Sequence, residues 1–502
     1  MNARASGGAE RQPFDPQRAA RSLHRLSPPR ALTRPPNSTA RSPFADDGRT
    51  RFGSRVLEHR IVQRTTFGWS LALQEEVERV GHQSYLDRQL APETVDDFGL
   101  EALIAEAFPT TRQSALELAI AYNRDPTQPV VELVAARIVR ALYSPRQLLE
   151  RVVDLWTDHF NIDLADGLGP FLKPVDDRTV IRRHALGRFR DLLGASASSP
   201  AMLAYLTNDS NVKGHPNENY ARELMELHTL GEGGGYTEED VKEVARCFTG
   251  WTFGTGENGA EFGRHTFVAR DHDNDRKSVL GTEIPAGGGR EDVARVLDIL
   301  SRHPSTARFI AEKILHTFWG EEPPARIVKR VAERFATSGG DVEACLREAL
   351  SWHLLVEAPL KLKRPLHYLT SAVRGTFAEL TDFNVFFSSL DALGHVPFFW
   401  HPPNGYPDTE GYWSGLLLPR LDFAALAFAE LEPVLTPDPS VFAESASITA
   451  RTRWADTLLL FGGMTAGTRT PIERHAAATP SRRLAARETL ALTLASPEFQ
   501  YY

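Results

Sequence analysis

Glu223 and Glu226 stand three residues apart in the densest polar run of the chain, Gly214-His-Pro-Asn-Glu-Asn-Tyr-Ala-Arg-Glu-Leu-Met-Glu-Leu-His-Thr-Leu-Gly231. On a helix over 217–230, Asn219, Glu223 and Glu226 share one stripe, while Tyr220, Leu224 and Leu227 form an apolar one. Two carboxylates one turn apart can bind a divalent cation, or divide acid and base roles if one pKa is raised. A solvated helix face with Arg222 as local partner is the competing explanation. His228 falls nearly opposite the carboxylates and reads as a packed or capping histidine. Asn217, after Pro216, is a good N-cap, and Gly231 suits the position after the helix.

Three further segments carry polar groups in suggestive patterns. Asp271-His-Asp-Asn-Asp-Arg-Lys277 starts like a calcium loop, but Arg276 and Thr282 occupy the places of its glycine and glutamate. A looser site using His272, Asp273 and Asp275 competes with a plain solvated turn. Leu155-Trp-Thr-Asp-His-Phe-Asn161 puts Asp158 and His159 at the end of an apolar helix, where a histidine more often caps than ligates. Trp400-His-Pro-Pro-Asn-Gly-Tyr-Pro-Asp408, with Tyr412 and Trp413, offers flat aromatic faces beside polar groups, suited to sugar rings or proline-rich peptides; packing onto the core competes. No HExxH, GxSxG or P-loop sequence occurs, so the familiar zinc-protease, serine-hydrolase and P-loop signatures fail.

The elements that must position these groups are helical. Apolar residues recur at helical spacing in 131–142 and 148–160, and again in 178–193, 217–230, 238–250, 291–302, 304–318, 324–336, 341–352, 364–379, 414–431 and 484–496. Thr237 to Asp240 forms a capping box for the 238–250 helix. The best strand signal is a hairpin between Phe262–Val268 and Val279–Ile284, bridged by the polar run at 271–277. The expected fold is therefore mainly α, a large multi-helix assembly with at most a small β-hairpin.

The 502 residues carry a net charge of −8 with 42% hydrophobic and 24% charged residues, which excludes collagen, coiled-coil rods and wholesale disorder. That charge is an average over two unlike pieces. Residues 1–51 hold ten Arg and four acids, +6, and the other 451 carry −14. The Pro- and Ser-rich tail is expected to be disordered, and with only Phe14 and Phe44 to stack on bases it is a poor nucleic-acid binder. Cys247 and Cys345 are too few for a disulfide framework and read as buried thiols. No run approaches the apolar length of a membrane span, and no signal peptide opens the chain, which makes the cytoplasm the default location.

In order, His59-Arg-Ile-Val-Gln-Arg-Thr-Thr-Phe-Gly68, Trp156-Thr-Asp-His-Phe-Asn161, Asn217 to Gly231, Tyr236-Thr-Glu-Glu-Asp-Val, Thr249-Gly-Trp251, His272-Asp273 with Lys277 and Gly281, Pro402-Pro-Asn-Gly405 and Leu492-Thr-Leu-Ala-Ser-Pro-Glu-Phe-Gln500 resemble the bacterial family catalogued as domain of unknown function 1800. The resemblance spans about 55–502 and implies one large helical domain over 52–502. It also implies a partner encoded beside the protein and export in many relatives, and it supplies no reaction. The chain departs from the family pattern in having Asp158 where Asn is usual, and Tyr406 where the Pro-Pro-Asn segment usually continues Gly-Trp.

Two functions are expected to compete. The first is an enzyme for hydrolysis or group transfer on a polar saccharide or peptide. Its catalytic groups are Glu223, Glu226 and His272, its binding residues Asn217, Asn219, Asn404, Tyr406 and Trp413, and its metal ligands, for an unassigned divalent ion, Glu223, Glu226, His272 and Asp273. The second is a noncatalytic binding or assembly protein acting through the aromatic loop.

Overall fold

The computed structural model describes residues 56–256, 259–380, 383–429, 435–436 and 447–502; the 1–51 tail lies outside them. Two consecutive helices, Thr127–Tyr143 and Gln147–His159, run through the interior. The first is buried at every position but one, because apolar residues surround it and its charges are met by neighbours. Glu132 accepts from the Thr110 amide at 2.8 Å and hydroxyl at 2.7 Å, and Arg140 grips Glu101 in a fork of 2.7 and 2.8 Å. The second is two-faced. Leu148, Val152 and Trp156 are fully buried, each aliphatic one contributing roughly 1.5–3 kcal/mol. Arg151, Asp154 and Asp158 share the opposite side.

One hydrophobic cluster extends from Ile61 to Phe499, joined by the helices Glu291–Arg302, Pro304–Phe318, Ala325–Ser338 and Pro365–Thr376. The fold is mainly α, with three two-stranded antiparallel sheets among the described residues, and no described helix is long and apolar enough to cross a membrane.

The structure corrects the expected hairpin. Trp251–Phe253 pairs with His265–Phe267, and Lys277–Val279 pairs with Thr282–Ile284, so Phe262–Val268 and Val279–Ile284 are not partners. Leu280 and Gly281 both have positive φ, 49° and 73°. A two-residue turn of that kind closes a hairpin locally. The polar run read as the turn is instead anchored inward by His272 and Lys277, each 1% exposed. The helix expected over 178–193 is also broken: Gly169–Asp176 passes into a π-turn at Asp177–Ile181, and a new helix starts at Phe189. The Thr237 capping box forms as expected, its hydroxyl accepting from the Asp240 amide at 3.2 Å.

Candidate functional site

A cavity of about 430 Å³ opens where four segments meet. The Gln147–His159 helix contributes Arg151, Asp154, Asp158 and His159, and the Pro304–Phe318 helix contributes Lys313 and His316. Arg364 comes from the extended segment before the Pro365–Thr376 helix, and Asn404 to Thr409 come from the long loop.

The loop is pinned by the helix end beneath it. Asn161 Nδ2 donates to the carbonyls of Trp400 at 2.7 Å and Pro402 at 2.8 Å. Gly405, at φ 73°, lies so close that a β-carbon there would sit 2.1 Å from the Asp158 carbonyl oxygen. On the other wall, Lys361 donates to Asp408 at 2.8 Å, and residues 361 and 363 ladder onto the backbone of Tyr502 and Gln500.

Charge is concentrated here. Arg364 Nη1 stands 2.7 Å from Asp158 Oδ2, a buried oxygen, so the two side chains form a buried ion pair. The Asp158 side chain is 18% exposed and so reachable from the cavity. Burial, resisted by Arg364 and reinforced by Asp154, pushes the Asp158 carboxyl up to about 6. Burial acts on Asp154 too, but Arg137, Arg364 and Arg151 overcome it and hold that carboxyl well below the usual range. Asp408 is likewise lowered, burial being outweighed by Lys361 and Arg364. Lys313 is lowered by burial against the pull of Asp158 and Asp408, and among the described residues it has no carboxylate within 4.0 Å, its ammonium lying 5.3 Å from the Phe309 ring centre. His159 is pushed well down by burial, Lys313 and His228, so its ring is neutral. Its Nε2 faces the His228 carbonyl at 3.1 Å, which places the single proton on that nitrogen.

A family model described as Protein of unknown function (DUF1800) matches residues 60–501. The chain belongs to that family. No curated protein and no solved structure matches it. In this DUF1800 protein, two of the segments that carry the resemblance, 156–161 and 402–405, are the ones locked together at the cavity.

The residues singled out in the sequence distribute unevenly. Asn404 and Tyr406 line the cavity, Asn404 accepting from Trp400 Nε1 at 3.0 Å and the Tyr406 hydroxyl donating to Val396 at 2.7 Å. Trp413 is 1% exposed and donates to the Pro407 carbonyl at 2.6 Å, so it supports the loop from behind. Asn217 and Asn219 hold the turn at 206–210: Asn217 Nδ2 donates to Thr207 at 3.0 Å and Asn219 Nδ2 to Leu206 at 3.1 Å.

Glu223 and Glu226 share the Asn219–Glu226 helix. Burial and then Glu226 raise the Glu223 carboxyl, and the Tyr236 hydroxyl donates to Glu226 at 3.4 Å. Glu223 also adds, after burial, Asp163 and Asp166, to the field that raises the Tyr205 hydroxyl, which donates to the His401 carbonyl. Neither carboxylate lines the cavity, whose wall from the loop is formed by residues 404–409.

His272 and Asp273 do not join these carboxylates. His272 Nδ1 donates to the Thr249 carbonyl at 2.8 Å, and Nε2 lies 3.3 Å from Asp292, which Lys277 reaches at 2.8 Å. Asp273 accepts from Arg246 at 2.7 Å. Both are tied up in holding the second hairpin, and among the described residues no group of three or more His, Cys, Asp or Glu is arranged to hold a metal ion.

Sequence reasoning missed Lys313, Arg364 and Asp408. Asp154 and Asp158, four apart on the polar side of a strongly apolar helix, were the available signal, because only a buried polar stripe needs counter-charges from elsewhere.

Proposed function

We propose that the chain is an enzyme that hydrolyses or transfers a group on a polar substrate, saccharide or peptide, bound in the cavity between Asp158 and the 404–409 loop. The observation that carries this reading is the divergence of two carboxyls that line the cavity, Asp158 pushed up to about 6 and Asp408 held below the usual carboxylate range. Groups whose environments separate their pKa values in this way are suited to acid and base roles. Asp158, its carboxyl raised toward neutrality although Arg364 pairs one of its oxygens, is the general acid for the leaving group. Asp408, held ionised, is the base toward water or another acceptor. Lys313 stabilises negative charge that develops on the substrate, at no cost in breaking an existing ion pair.

The test is carbonyl-carbon NMR titration of Asp158 together with a panel of chromogenic glycosides and dipeptides, on the wild type and Asp158→Asn. The expected results are a midpoint near 6 and a loss of turnover in the variant of roughly 10²–10⁴-fold. A midpoint below about 4, or an unchanged rate in the variant, would sink the proposal.

The noncatalytic reading is favoured by one observation. Tyr412, Leu417 and Leu418, directly after the loop, are 45, 51 and 69% exposed, an apolar ridge of the kind that partner proteins cover. In that reading a partner encoded beside the protein is lost on Leu417→Ser/Leu418→Ser and retained by Asp158→Asn.

A further inference from the structure

A second cavity, of about 510 Å³, lies on the other side of the two central helices, and its chemistry is unlike that of the first. Six arginines line it, at 112, 140, 146, 178, 182 and 183, against the two carboxylates Glu101 and Asp177. Their pairings decide what the cavity can hold. Arg140 is neutralised by Glu101, and Arg182 by Glu150, to which it donates at 3.0 and 2.5 Å. Arg146 and Arg178 donate to backbone carbonyls, those of Val95 at 2.8 Å and of Thr111 and Gln113. Carbonyls fix the direction of a guanidinium and leave its charge uncompensated. Arg112 and Arg183 are exposed and, among the described residues, have no carboxylate within 4.0 Å. Four positive charges therefore face one negative one, Asp177.

Asp177 adds a second requirement. It is 4% exposed, and its Oδ1 is buried with no hydrogen-bond partner among the described residues. A buried acceptor of that kind calls for a donor. The residue opens the π-turn Asp177–Ile181, which also carries Arg178; such turns recur at functional sites because the extra residue redirects side chains.

We propose that this cavity binds a hydroxylated organic phosphate, its phosphate held by Arg112, Arg146, Arg178 and Arg183 and a hydroxyl donating to Asp177. The planar guanidinium fork matches phosphate geometry, and a cavity of several hundred Å³ accommodates a molecule the size of a sugar phosphate. A carboxylate near the phosphate is tolerable only if the ligand also brings a donor, which inorganic phosphate at neutral pH does poorly and a polyol does well.

The experiment is isothermal titration of the full chain with glucose 6-phosphate, ethyl phosphate, citrate and glucose at low and moderate salt, beside Arg112→Ala/Arg183→Ala and Asp177→Ala. Both exposed arginines can be truncated without opening the core, and circular dichroism checks that the variants fold. The expected pattern is saturable one-to-one binding of glucose 6-phosphate, at least tenfold tighter than ethyl phosphate, citrate or glucose. The arginine variant loses at least tenfold, and Asp177→Ala erases the preference over ethyl phosphate. The proposal is overturned if none of the probes saturates, if the arginine variant binds like the wild type, or if citrate or ethyl phosphate matches glucose 6-phosphate. Tighter binding of heparin or DNA than of every small probe would also overturn it, since that marks an open basic surface.

Discussion

The backbone of Gly405 rests against the carbonyl of Asp158, with no room between them for a β-carbon. The loop that roofs the cavity is thereby held in register with the carboxyl that gives the cavity its chemistry.

Gly405→Ala must both adopt a positive φ, at roughly 1–2 kcal/mol, and displace the Asp158 carbonyl. Its expected cost in urea unfolding is at least about 2 kcal/mol. A variant within 0.5 kcal/mol of the wild type, on the order of the usual surface effect, would show that the two segments separate easily.

Asn161→Ala leaves the Trp400 and Pro402 carbonyls without their donor. Both carbonyls belong to a partly buried or exposed stretch that water reaches, so the loss is that of ordinary hydrogen bonds, about 0.5–1.5 kcal/mol each. Hydrogen exchange across 400–409 should quicken in this variant while exchange in Thr127–Tyr143 stays slow; equal protection of the loop in both proteins would count against the anchoring role.

Asp158 makes a stability prediction with an unusual sign. Its folded pKa, about 6, lies above the unfolded value, so its contribution favours the folded state fully below about pH 4 and is lost as pH rises toward 6. Asp154, with a lowered pKa, works the other way, stabilising above the unfolded value and losing this as pH falls. Asp158→Asn removes the first dependence and keeps the second. The urea midpoint of the variant should therefore rise more than that of the wild type between pH 4 and 6.5; parallel curves would contradict the assignment.

Asp292 is fully buried between Lys277 and His272. Asp292→Ala strands the lysine ammonium in the interior, at about 3–5 kcal/mol. Glu226→Gln, on a half-buried face whose contact to Tyr236 is 3.4 Å, should stay within about 1 kcal/mol. Comparable costs for the two would mean that the second hairpin is not held by this buried pair.

The helices were legible because their apolar residues repeat at helical spacing regardless of what they pack against. The spans 291–302 and 304–318 coincide with the observed ones. The π-turn at 177–181 was hidden because one extra residue per turn shifts the stripe without erasing it. The hairpin register was misread because two residues of the polar run, His272 and Lys277, point inward, toward Asp292, which lies beyond the hairpin. Of the cavity, Asn404 and Tyr406 were visible as an odd loop composition, and Asp158 and His159 as polar residues ending an apolar helix. Arg364, Lys313 and Asp408 come from elements far apart in the chain, and no local pattern joins them. The family match covers these segments without a reaction attached, so the chemistry is argued from the charges and geometry of the cavity.

Glu150 is shared by Arg182, in the arginine-lined cavity, and Arg137, which reaches on to Asp154 at 2.8 Å. Asp154 in turn helps set the affinity of Asp158 for its proton. The two cavities are thus joined by a chain of charges, and linkage makes any influence between them mutual. A ligand in one that moves the Asp158 pKa by a single unit is itself held about tenfold differently by the protonated and ionised protein, so the occupancy of one chamber could be read as a change in the acidity of the other.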